Sequence, residues 1–189
     1  MKVERMIKSD VDTFQVGDII NLTLSADERV QAMAMKQEQD SMIFLLVDCL
    51  QDEYRMNAEN SNRGGYDASD LKVSMAGEIL ARFPADLRER MVPFANGSLL
   101  RLPTEKEILG KNVYGVKEPE SVVQWEPMKL RRNRIAFRGK EGEWEWYWLA
   151  NRVKGSAADF ASVSNRGGAT YSRASTFFGV RPAFKIRNL

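Results

Sequence analysis

Apolar and polar residues alternate in twos over the first quarter of the chain, shift to helical spacing in the middle, and return to alternation near the end. Between Phe14 and Met56, Ile20, Leu22 and Leu24 alternate with Ile19, Asn21 and Thr23, and Val30, Ala32 and Ala34 alternate with Gln31, Met33 and Met35. The apolar run Met42–Val47 follows a polar turn at residues 37–41. Period-two segments joined by short polar connections predict three strands in an antiparallel meander. Leu71, Met75, Ile79, Leu80 and Phe83 then fall at helical spacing, with Asp67 or Ser69 available as N-cap, and Pro84 opens a second short helix that ends before Pro93. Thr104-Glu105-Lys106-Glu107 is a capping box, and the helix it opens should stop at Gly110. Short strands are expected at residues 98–102 and 134–138, and a turn at 140–143.

Trp144, Trp146 and Trp148 restore period two, and Gly179-Val180-Arg181-Pro182-Ala183-Phe184-Lys185-Ile186 reads as a closing strand. Their shared parity puts the three tryptophans on one strand face. Trp146 and Trp148 are expected in the core, Trp144 as a candidate contact, and Glu143 and Glu145 toward solvent. Residues 155–178, between these strands, are mostly small or polar, which suits a contact surface on a rigid frame better than a core. Strands, then two or three helices, then strands predict an α+β domain with helices beside an antiparallel sheet. Residues 1–13 form a polar lead-in, 14–60 the N-terminal meander, part of or packed on the main domain, and 61–189 that main domain.

The 189 residues can fold without a metal or disulfide. A net charge of +2 gives no support for nucleic acid as a partner. The cluster Lys129–Arg134 is expected to be a solvated turn rather than a phosphate site. No apolar run approaches the length needed to cross a bilayer, so membrane insertion is not expected, and no signal peptide is visible. The expected location is cytoplasmic or virion-associated.

With no histidine, histidine triads, histidine-containing zinc sites and histidine acid–base catalysis are excluded. Cys49 is the sole cysteine and follows an apolar run, which predicts a buried, inert thiol and no intrachain disulfide. No two carboxylates form a convergent pair, and Ser-Asn-Arg-Gly-Gly, present at 61–65 and 164–168, lacks phosphate-loop spacing. No catalytic residue, metal site or cofactor is therefore expected. Arg181, between Val180 and Pro182, should be a structural ion pair or carbonyl clamp.

Trp146-Tyr147-Trp148-Leu149, Ala158–Val163, Gly168, Tyr171–Ala174 and Gly179–Phe184, with Ser69-Asp70-Leu71, Arg82-Phe83-Pro84 and Leu100–Glu107, resemble an uncharacterised domain family of Gram-positive gut bacteria and their prophages. The resemblance spans roughly residues 14 to 189. That family is similar to the C-type-lectin-like fold shared by formylglycine-generating enzymes and the variable proteins of diversity-generating retroelements. The resemblance implies a C-type-lectin-like core that turns variable residues outward from its C-terminal region. Family members usually carry an arginine just after the Trp-Leu pair, where this chain has Ala150 and Asn151. The lone cysteine does not support formylglycine chemistry, and no lectin calcium motif stands in the chain.

Three functions compete. The first is a non-catalytic binding module that meets a protein or glycan through Asn151, Arg152, Lys154, Asp159, Ser162, Asn165, Arg166, Tyr171 and Arg173. The second is a virion structural or assembly protein that forms a homo-oligomer through the meander. The third is an enzyme of unknown type.

Overall fold

The computed structural model describes residues 13–139 and 142–187. Strands β1 (Ile19–Thr23), β2 (Arg29–Glu38) and β3 (Ser41–Leu46) run antiparallel in sequence order, as their alternation predicts. The helical stretch opens as α1 (Asp70–Ser74) and continues through a π turn at Met75–Ile79. Ser69 caps α1 by accepting the Lys72 amide. Leu71, Met75 and Ile79 stand four apart, a spacing that drifts forward around an α-helix and backward around the wider π turn. Combining the two keeps all three in the core.

Helix α2 (Ala85–Arg90) follows Pro84, and α3 (Glu105–Leu109) begins at the predicted capping box. It ends on Gly110 in the left-handed conformation, at φ 77°. The remaining strands are β4 (Leu100–Arg101), β5 (Ala136–Arg138), β6 (Glu143–Glu145), β7 (Tyr147–Arg152), β8 (Asp159–Val163), β9 (Ala169–Arg173) and β10 (Ala183–Arg187). The expected turn at 140–143 includes residues 140 and 141, which lie outside the described residues, as does nearly all of the lead-in.

These elements form an α+β arrangement of antiparallel sheets with few helices. The principal sheet has the order β1-β2-β3-β10-β4, so the closing strand sits between the meander and β4. Phe44 and Phe184 face each other across β3 and β10, 5.7 Å apart and stacked, with Phe83 edge-on to Phe184. Strand β3 is buried on both faces. Met42, Phe44 and Leu46 meet the helix side, while Ile43 and Leu45 join Trp125, Met128, Tyr147, Leu149 and Val163 on the other. A strand covered on both faces reads as a continuous apolar run, which explains residues 42–47.

Four expectations change. The tryptophan segment is not one strand: β6 pairs with β5, whereas β7 joins a three-stranded sheet β7-β8-β9. Trp148 is fully buried as predicted, but Trp146 is 44% exposed and Trp144 70%. The row descends toward the core: the Trp146 ring meets Phe178 edge-on and Trp148 packs behind that phenylalanine. Glu145 is buried rather than solvated, because Arg138 closes on it at 2.6 Å and the Trp146 amide donates to it at 2.8 Å.

The small-residue stretch also contains two strands, and β8 is buried from Phe160 to Val163. Small side chains here serve close sheet packing, not only exposure. Arg181 is 1% exposed and is a carbonyl clamp: its Nε donates to Leu46 O at 2.9 Å and both Nη atoms to Asn133 O at 3.3 Å. Its guanidinium lies over the Tyr147 ring. Cys49 is buried as expected, and burial pushes its thiol pKa well up.

Candidate functional site

The sheet β7-β8-β9 separates the predicted contact residues. At one end stand Arg152, Lys154, Asp159 and Arg173, with Tyr171 midway along β9; at the other, the β8–β9 turn carries Asn165 and Arg166. Five-residue strands place the ends roughly 13 Å apart, so the nine residues do not form one patch. Ser162 belongs to neither end. It is fully buried, and its Oγ has no hydrogen-bond partner, so it is not a contact residue. Strand parity explains the correction: Ser162 pairs with buried Trp148 on one side and Thr170 on the other.

Two more are occupied internally. Asn151 accepts the Glu105 amide at 2.6 Å and donates to Glu118 at 2.8 Å, while Asp159 accepts the Ser156 hydroxyl at 2.9 Å. Arg152, Lys154, Arg166, Tyr171 and Arg173 are exposed, and Asn165 is half-buried.

The first end is completed by a segment that carries no periodic signal. Residues 112–118 lie along the end of β7: Gly115 bridges Val153, Val116 N donates to Arg152 O, and Lys154 N donates to Tyr114 O. Two carboxylates hold this segment. Glu105, fully buried, accepts the Tyr114 amide at 3.0 Å and the Gly115 amide at 2.9 Å. Glu118 accepts from Lys106 N at 3.0 Å and from the Asn112 and Asn151 side chains at 2.7 and 2.8 Å. Gly115 is required by approach: a Cβ there would lie 2.7 Å from Asn151 Cβ and 2.8 Å from Glu105 Oε2.

Against this support the Tyr114 and Tyr171 rings meet at 4.8 Å, inclined by 60°, each partly open to solvent. Beside them opens a cleft of about 620 Å³, lined among others by Lys106, Lys111, Tyr114, Lys117, Glu118 and Lys154. Lys117 bonds Glu120, and with Lys106 behind it holds that carboxyl below its ordinary pKa. Lys111 and Lys154 have no acidic partner among the described residues. The arrangement offers stacking surfaces and hydrogen-bond donors on a fixed floor. Among the described residues no group of three or more metal-ligating side chains comes together.

Tyr114, Lys111 and the supports Glu105 and Glu118 escape a reading of the sequence alone. Their roles depend on contact with β7, and only the small Gly115 hints at that approach. Trp144 stands on β6, outside this sheet, and does not join Tyr171.

No family model, curated protein or solved structure matches this chain. Among the described residues no helix is long and apolar enough to cross a membrane.

Proposed function

We propose that the chain is a non-catalytic ligand-binding module on a C-type-lectin-like frame, of prophage or diversity-generating-retroelement origin, cytoplasmic or virion-associated. It meets a protein or glycan at the cleft end of β7–β9. The observation that carries this reading is the Tyr114–Tyr171 ring pair beside a lysine-lined cleft, on backbone fixed by the buried Glu105. Rigid aromatics supply contact area at low entropic cost, and arginines and lysines supply orientation.

Affinity at such a surface concentrates in a few anchors. A screen of glycans and surface proteins with the purified chain should identify a partner, followed by titration of variants. Tyr171→Ala or Arg173→Ala should weaken binding by about 1–3 kcal/mol with the thermal midpoint nearly unchanged. Parental affinity in both variants would remove this surface from consideration.

A second reading, assembly through the meander, is favoured by one observation. Among the described residues strand β1 is a sheet edge, with its own Ile19 45% exposed and Val16 just before it 43%. Open edges with apolar side chains promote strand pairing between chains. Sedimentation of the parent and of Ile19→Lys separates the readings: a self-association lost in the variant supports assembly.

A further inference from the structure

The opposite end of the β7–β9 sheet carries a feature that ligand binding at the cleft does not use. Residues Arg131–Arg134 form a single 3₁₀ turn. In a 3₁₀ turn the side chains at i and i+3 eclipse, which brings Arg131 and Arg134 to one edge. The β8–β9 turn lies directly on that edge. Arg131 Nε donates to Arg166 O at 2.8 Å. Gly167, at φ 70°, approaches so closely that a Cβ would sit 3.0 Å from Arg131 O and 3.2 Å from Arg134 Cβ. Arg131, Arg134 and Arg166, from segments over thirty positions apart, thus belong to one locality.

The floor beneath them is fixed. Arg134 O accepts the buried Tyr147 hydroxyl at 3.0 Å, and Asn133 O is held by both Nη atoms of the buried Arg181. The charges above are not balanced. Arg82, Arg101 and Arg138, partly buried elsewhere, each close on a carboxylate. Among the described residues no carboxylate pairs with Arg131, Arg134 or Arg166, and the nearby Glu126 is engaged by Lys129 at 2.6 Å. Arg134 Nε is buried without a hydrogen-bond partner. Like charges held together on a rigid floor repel one another, and an anion removes that repulsion.

We propose that Arg131, Arg134 and Arg166 form a site for a compact, multiply charged oxyanion, a phosphate or sulfate group carried on a small molecule or glycan. The planar guanidinium fork matches the oxygen spacing of such groups and binds them bidentately. The half-buried Asn165, in the same turn, adds an amide able to donate. Nucleic acid is disfavoured by the same features: three charges engage few phosphates, and the exposed apolar residue beside the turn is Leu130, which offers no ring for base stacking. Residues 129–134 form the largely exposed turn expected from the sequence; the proposed site lies on that turn and does not depend on the cleft.

The test is calorimetric titration of the full chain with pyrophosphate and, separately, with a sulfated disaccharide, at low and physiological salt. Saturable binding of one of the two is expected, and the preferred one identifies the oxyanion's source. Exposed Arg166 can be changed without disturbing the core. Arg166→Gln should weaken binding at least about tenfold, with Arg166→Lys intermediate because the fork is lost while the charge remains. Lys154→Gln, at the far end of the sheet, should bind like the parent. The proposal is overturned by absence of saturable binding, by equal loss in Lys154→Gln, or by tighter binding of a single-stranded oligonucleotide with a steep salt dependence.

Discussion

Single side chains in this protein are tuned by how little room surrounds them. Gly179 is the sharpest case, since a Cβ there would lie 2.5 Å from both Cys49 Sγ and Glu145 Cγ. Gly179→Ala should therefore destabilise the fold by about 1–3 kcal/mol in urea denaturation, the usual range for overpacking. Cys49 is sealed by the same contact. Burial raises its thiol pKa, so the reactive thiolate is disfavoured in the folded state. Alkylation should stay slow from neutral pH to about pH 9 and accelerate only in denaturant. Rapid native labelling would show that the site opens. Ser162 points the other way: its buried hydroxyl lacks a partner, so Ser162→Ala should be neutral or stabilise by up to about 1 kcal/mol in the same assay. The buried cysteine and the Arg181 clamp were legible from neighbours in sequence. The burial of Ser162 was not, because a serine in a stretch of small and polar residues carries no sign of the layer that covers it.

At the scale of elements, those with their own periodicity or capping chemistry were readable, and those completed by distant partners were not. The meander, the Ser69-capped helix and the capping box at Thr104 announce themselves within a few residues. The break between β6 and β7 does not, since both keep alternating while pairing with different sheets. The segment 112–118 is the extreme example, ordered by side chains from α3 and β7. Glu105→Gln should replace one acceptor oxygen with a donor facing backbone amides, at a cost of about 1–3 kcal/mol. Hydrogen exchange at the Tyr114 and Gly115 amides should rise well above that in the principal sheet; unchanged protection there would mean that Glu105 is not the anchor. The candidate cleft was thus partly visible: Lys154 in its lining and Tyr171 beside it could be nominated from sequence, but Tyr114, which joins them, could not.

For the molecule as a whole, the two core clusters meet at β3 and β10, so truncation there should affect the entire fold. Trp148→Ala and Phe184→Ala are each expected to destabilise by about 3–5 kcal/mol by urea denaturation, as for other buried aromatics. A much smaller loss at either would mean that the layer around it collapses to fill the space. The α+β character followed from the order of periodicities, but the placement of β10 between the meander and β4 did not, because strand order depends on partners rather than pattern.

That placement also has a consequence during synthesis. Arg181 reaches back 135 positions to Leu46, and the free side of β3 stays unpaired until β10 has been made. At ~5–20 residues per second, an emerging chain carries that uncovered apolar strand for on the order of 10 s. The sheet must therefore close after translation of its last strand, and the nascent protein depends on whatever shields Met42 to Leu46 in the meantime.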